Sequence, residues 1–190
     1  IYMMKAKKFM TVLAIFGVMI TSAFAIEKSE IENVPFNNLE TETTPTIVGV
    51  AAGNENFTTL VAAVKAAYLV ETLNSEGPFT VFAPVNAAFD KLPEGTVANL
   101  LKPENKQVLS SILTYHVVAG KVMAADVVKA IKKGNGSFEI TTVQGGKLIA
   151  SLKGDNVILT DEKGNISTII ITDVAASNGV IHAIDSVVMP

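Results

Sequence analysis

His116 and His182 are the only histidines in the chain, and each lies within reach of chemistry-bearing neighbours in sequence. Two imidazoles joined by a carboxylate such as Asp173 or Asp185 make a zinc ligand set. The two histidines are 66 positions apart, however, and no pair stands at the i, i+4 spacing of a helical metal motif. His182, Asp185 and Ser186 contain the residue types of a hydrolytic triad. In a strand over 180–188, positions 182 and 186 share a face while 185 points the other way, so the trio does not converge locally. A Gly-x-Ser-x-Gly elbow is also missing. The favoured reading is two partly buried histidines, hydrogen-bonded to backbone or to Asn86. Asp185 reads either as a ligand or acid or, preferably, as an acceptor for turn and strand-end N–H groups. Tyr115 reads as an exposed contact or, preferably, as a core ring with its hydroxyl at the rim.

Composition narrows the chemistry further. The chain has 190 residues, no cysteine and no arginine; all 15 basic residues are lysine. Zero cysteine excludes disulfides, thiolate metal sites and a cysteine nucleophile. Zero arginine excludes bidentate guanidinium clamps. A net charge of −3 argues against a nucleic-acid partner. Neither Gly134-Asn135-Gly136 nor Gly145-Gly146 continues into a phosphate-binding loop. Lys129, Lys132 and Lys133 read as a solvated helix face. No catalytic residue, metal ligand or cofactor-binding residue is assigned, and no cofactor is expected.

Mean hydropathy is +0.41, and much of it sits at the start. Lys5, Lys7 and Lys8 precede the apolar run Phe9–Ile20, which is followed by Ala23-Phe24-Ala25. Basic, apolar and small-x-small in that order is the pattern of a secretory signal peptide over residues 1–25, opening at Met4. The apolar run is shorter than the roughly 20 residues a spanning helix needs; the competing reading is an uncleaved anchor. Cleavage after Ala25 removes three lysines and no acid, leaving 165 residues of net charge −6, enough for one domain. Residues 26–45 read as an acidic flexible spacer, or else as a short element docked on the domain. The predicted location is exported: secreted, periplasmic or at the cell surface.

The remainder, 46–190, divides into helices first and strands second. Phe57, Leu60, Val61 and Val64 recur at helical spacing behind Asn54 or Asn56 as cap candidates. Phe79–Ala83 reads as a strand and Asn86 as the N-cap of the helix that follows. Val108, Leu109, Ile112 and Leu113 share a helix face, and Tyr115–Val118 reads as a short strand. From 138 onward, five strand candidates alternate with Gly- and Asn-rich turns. Such segregation predicts an α+β fold with mostly antiparallel strands.

Three segments together resemble the fasciclin domain family. They are Gly77–Phe89, with Phe82, Ala83, Pro84, Asn86 and Phe89; Leu113–Val118, with Tyr115 and His116; and Asn178–Pro190, with His182 and Asp185. Order and spacing agree over 46–190, except that Val85 stands where the family usually has Thr or Ser. The resemblance implies N-terminal helices packed on a wedge-shaped antiparallel β-sandwich. It also implies a non-enzymatic role in cell-surface or matrix adhesion. In animal members the Tyr-His segment is linked to integrin binding, which makes Tyr115 and His116 the interaction residues it offers here. The leader and single short domain read as bacterial, with a surface protein, glycan or matrix component as partner. An apolar surplus in a modest domain leaves an alternative open, a carrier of a lipid or other apolar small molecule.

Overall fold

Short amphipathic helices come first because apolar residues recur every three or four positions there. The computed structural model describes residues 44–190. The expected leader, and all of the spacer but its last two residues, lie outside the described residues. Helices α1 (Ile47–Ala52), α2 (Thr58–Ala66) and α3 (Val70–Asn74) precede strand β1 (Phe79–Pro84). Then come α4 (Asn86–Asp90), α5 (Thr96–Leu100), α6 (Lys106–Tyr115), β2 (Val117–Ala119) and α7 (Ala124–Lys133). Five strands follow: β3 (Ser137–Thr141), β4 (Lys147–Lys153), β5 (Asn156–Thr160), β6 (Ile166–Ala176) and β7 (Gly179–Ile184). The strand expected over Tyr115–Val118 starts later: Tyr115 ends α6, and His116 is its C-cap.

The strand order is β2-β1-β7-β6-β5-β4-β3. All neighbouring pairs are antiparallel except β1 and β7, which run parallel from Phe79↔Gly179 to Pro84↔Ile184. That parallel pair is the one exception in a sheet that is otherwise antiparallel, in keeping with the mostly antiparallel strands expected from the sequence. Strands so far apart in sequence can pair in either sense, because the intervening helices and hairpins return the chain to the same end. A Cβ at position 179 would collide with the Phe79 carbonyl, so the pairing starts on a glycine.

Strand β6 is shared. Its first residues pair with β5 and its later ones with β7, with register shifts between Ile169, Ile171 and Val174. These irregularities bend the sheet, so that its two halves enclose a common core. The alternation of side chains then sorts residues between two apolar layers. Val81, Ala83, Ile181 and Ala183 face α1, α2 and α6. Phe82 and Ile184 face the other way, toward Leu148, Leu159 and Ile169, with Val127 and Ile131 of α7 closing the end. Fully burying a side chain such as Phe82 contributes about 1.5–3 kcal/mol. The signature residues lie where these two layers meet the helices.

Candidate functional site

Helix α6 carries Tyr115 and His116 to its end, with Leu109, Ile112 and Leu113 buried along the same helix. His116 is 2% exposed, and its Nδ1 lies 2.8 Å from the Ile112 carbonyl. A ring nitrogen facing a carbonyl must carry the proton, so Nε2 is the acceptor; it receives the Val188 N–H at 3.3 Å. Burial lowers its pKa to about 4, against a smaller opposing effect of the Ile112 carbonyl and Asp161. The imidazole is therefore neutral near pH 7. Tyr115 is fully buried; its hydroxyl donates to the Lys147 carbonyl at 2.7 Å and accepts from the Glu162 N–H. Burial pushes this phenol above its ordinary pKa. A Cβ at Gly146 would strike the Tyr115 ring, so the β3–β4 turn packs on the aromatic face. Neither ring of the Tyr-His pair reaches the surface, as the preferred reading of Tyr115 as a core ring anticipates. The pair braces α6 against the hairpins and the C-terminal segment past β7.

His182 uses the opposite tautomer. Its Nε2 lies 2.9 Å from the Val122 carbonyl and donates to it, while Nδ1 accepts the Asp173 N–H at 3.2 Å. The ring is 1% exposed and stacks on Phe82, with centroids 5.8 Å apart. That contact follows from register, because Phe82 and His182 are direct partners across β1 and β7. Asp173 completes the arrangement from a left-handed backbone position, φ 58°. Its carboxylate accepts the Ala124 N–H at 2.9 Å, capping α7, whose own N-cap Met123 has no side-chain bond to give.

Asp185 sits just past β7. Its Oδ1 accepts the Thr168 N–H at 2.7 Å, and Oδ2 meets the Lys91 ammonium at 3.2 Å. Burial alone would raise its pKa, but the Thr168 N–H and Lys91 outweigh it and hold the carboxyl below its usual range. The Ser186 hydroxyl accepts from the Lys91 ammonium at 3.1 Å, while both His182 ring nitrogens are bonded to backbone at Asp173 and Val122. The triad therefore does not assemble. Among the described residues no group of three His, Asp or Glu side chains is placed to hold a metal ion.

Asn86 departs from its expected role. It is the first residue of α4, whose N-cap is Val85, with no side-chain bond. The Asn86 carbonyl oxygen instead accepts the Thr59 N–H at 3.1 Å, and its amide donates to the Glu55 carbonyl at 2.8 Å. It thus caps α2, a helix 27 residues earlier. Proximity in sequence suggested the nearer helix, but the end of β1 delivers the side chain to the other. Pro84 is buried at that strand end, opposite Ile184. Phe89 is half-buried between the helices.

Two organising residues carried no role in the sequence reading. Asp161 is 4% exposed and accepts from the N–H groups of Lys163, Asn165 and Met189 and from the Asn165 amide. Its signal was the Asp-x-x-Gly-Asn turn between two strand candidates, where Asp folds the backbone onto itself. Asn178 donates to the Leu73 and Ser75 carbonyls and accepts the Ile47 N–H, tying the β6–β7 turn to α1 and α3. Partners more than 100 residues away leave no local trace.

Chemically, this arrangement is a closed scaffold. Among the described residues no buried side-chain polar atom lacks a hydrogen-bond partner. The apolar space between helices and sheet, lined by Ile47, Leu60, Val64, Val81 and Leu113, is about 30 Å³. Such a volume holds about one water molecule and is too small for a lipid. No helix among the described residues is long and apolar enough to cross a membrane.

The fasciclin domain model matches residues 55–190. The chain belongs to the fasciclin domain family. Protein sll1483 of Synechocystis is 51% identical over 170 residues, spanning 90% of this chain and 87% of that protein. Immunogenic protein MPB70 of Mycobacterium bovis is 41% identical over 149 residues, spanning 75% of this chain and 68% of its own length. A solved FAS1 domain pair from the insect cell adhesion molecule fasciclin I superposes with a TM-score of 0.69 at 19% identity. That match spans 78% of this chain and 52% of the insect chain, about half its length, and shows a shared fold. The three signature segments of this fasciclin domain are thus its internal joints. The first supplies Phe82 and Asn86, the second Tyr115 and His116, and the third His182 and Asp185.

Proposed function

We propose that this fasciclin domain is exported and mediates adhesion at the cell surface or in an extracellular matrix, without catalysis. One observation carries the reading. The groups that could do chemistry are held by internal hydrogen bonds: His116 by Ile112 and Val188, His182 by Val122 and Asp173. Action is left to the outer surface. The basic-apolar-small pattern of residues 1–25 supports export. The fold shared with a domain pair of an insect cell adhesion molecule supports adhesion. The partner is a surface protein, glycan or matrix component, met without guanidinium anchors because the chain has no arginine.

Attachment of bacterial cells to surfaces coated with the purified chain tests this reading. Attachment well above that on an inert protein coat is expected. Attachment no higher than on the inert coat contradicts it.

A further inference from the structure

Tyr68 is the most exposed large apolar side chain among the described residues, at 75%. It links α2 to α3 from a left-handed backbone position, φ 57°. A non-glycine residue there is uncommon, and Tyr lacks the short polar side chain that eases the strain for Asn or Asp. Folding alone would favour Gly or Asn, and burial offers Tyr68 no compensation. The ammonium of Lys106 stands 3.7 Å from the Tyr68 ring centroid. Lys106 is the first residue of α6, where the helix dipole disfavours a cation. Tyr68 and Lys106 join Lys65, Ala66, Leu101 and Pro103 around an open cleft of about 450 Å³. No acidic residue lines it, and neither lysine is engaged in an ion pair among the described residues. On a chain of net charge −3, this is a local cationic site with an aromatic edge.

We propose that the cleft at Tyr68, Lys65 and Lys106 binds an acidic polysaccharide, a chain of sugars bearing carboxylates. The inference rests on the adhesion reading and names the partner class for it. Each half of the ligand has a counterpart. Sugar C–H faces pack on the open aromatic face, on Leu101 and on Pro103, while carboxylates pair with the two ammonium groups. Charge density separates this ligand from nucleic acid. A duplex carries one charge per about 1.7 Å and needs a broad basic footprint. Two lysines suit a polymer with about one charge per sugar.

The test is titration calorimetry of the purified full chain with polygalacturonate, neutral dextran and a single-stranded oligonucleotide. Binding to polygalacturonate that weakens with salt is expected, with none to dextran and weaker binding to the oligonucleotide. Tyr68→Asn keeps the left-handed backbone favourable and removes the ring, so folding is preserved. That variant and the Lys65→Gln/Lys106→Gln double variant should each weaken binding by about fivefold or more. No binding, equal binding to dextran, tighter binding to the oligonucleotide or undiminished binding by the variants would overturn the assignment. Cell attachment retained alongside any of these results would leave the adhesion reading standing and remove only the cleft.

Discussion

The backbone N–H of Val188 donates to Nε2 of His116 at 3.3 Å, joining the C-terminal segment to the end of α6 across 72 residues. Protonation at Nε2 removes the acceptor and places a charge in the core. The folded-state pKa is about 4 and the ordinary value 6.5, so between those values the unfolded chain binds the extra proton. The contribution is complete above about pH 6.5 and falls away as pH drops toward 4, by up to about 1.4 kcal/mol per unit. Urea unfolding at pH 7, 5.5 and 4.5, for the wild type and for His116→Gln, measures it. The wild type should lose about 2–3 kcal/mol more than the variant over that range. Parallel pH dependences would remove His116 as the cause.

His182→Phe keeps an aromatic ring against Phe82 while deleting both ring nitrogens. The Asp173 N–H and the Val122 carbonyl then lose their partners in a buried setting. A loss of about 2–4 kcal/mol is expected. Because Asp173 also caps α7, amide exchange should quicken at Asp173 and Ala124 before the rest of the sheet responds. Uniform quickening throughout the domain would show that His182 does not act through Asp173.

The two caps near the end of β1 give a paired test. Val85→Thr supplies α4 with the side-chain acceptor that it lacks and should stabilise by about 0.5–1 kcal/mol. Asn86→Ala should cost about 1–2 kcal/mol, with the loss at the start of α2 rather than at α4. Thermal melting gives the magnitudes, and exchange at the Thr59 amide gives the location. Protection of Thr59 that survives Asn86→Ala contradicts the long-range cap.

Asp161→Ala removes the acceptor of three backbone N–H groups and of the Asn165 amide. About 3 kcal/mol of destabilisation is expected, with Met189 released from the β5–β6 turn. Denaturant unfolding with proteolysis of the C-terminal segment reads both effects. A near-neutral variant would show that water replaces the carboxylate readily.

Local periodicity and punctuation made most elements legible. The expected face Val108, Leu109, Ile112 and Leu113 set α6, although Val108 turns to the exposed side, and the Gly- and Asn-rich turns set the β3–β6 hairpins. Long-range geometry was not legible. The parallel pairing of β1 with β7, the capping of α2 by Asn86 and the joints at Asn178 depend on segments distant in sequence. The signature histidines were recognisable as important, yet sequence does not say whether a ring faces solvent or a carbonyl. Tyr115 and His116 occupy the last turn of a helix whose buried face continues through them, which is why they point inward.

The central claim is that the outer surface of this fasciclin domain binds while its Tyr-His pair only supports the fold. Cell attachment to coats of wild type, Tyr115→Phe and Tyr68→Asn, each verified as folded by circular dichroism, tests it most directly. The account predicts full attachment for Tyr115→Phe and reduced attachment for Tyr68→Asn. Loss of attachment with a folded Tyr115→Phe, or none with the wild type, would contradict it.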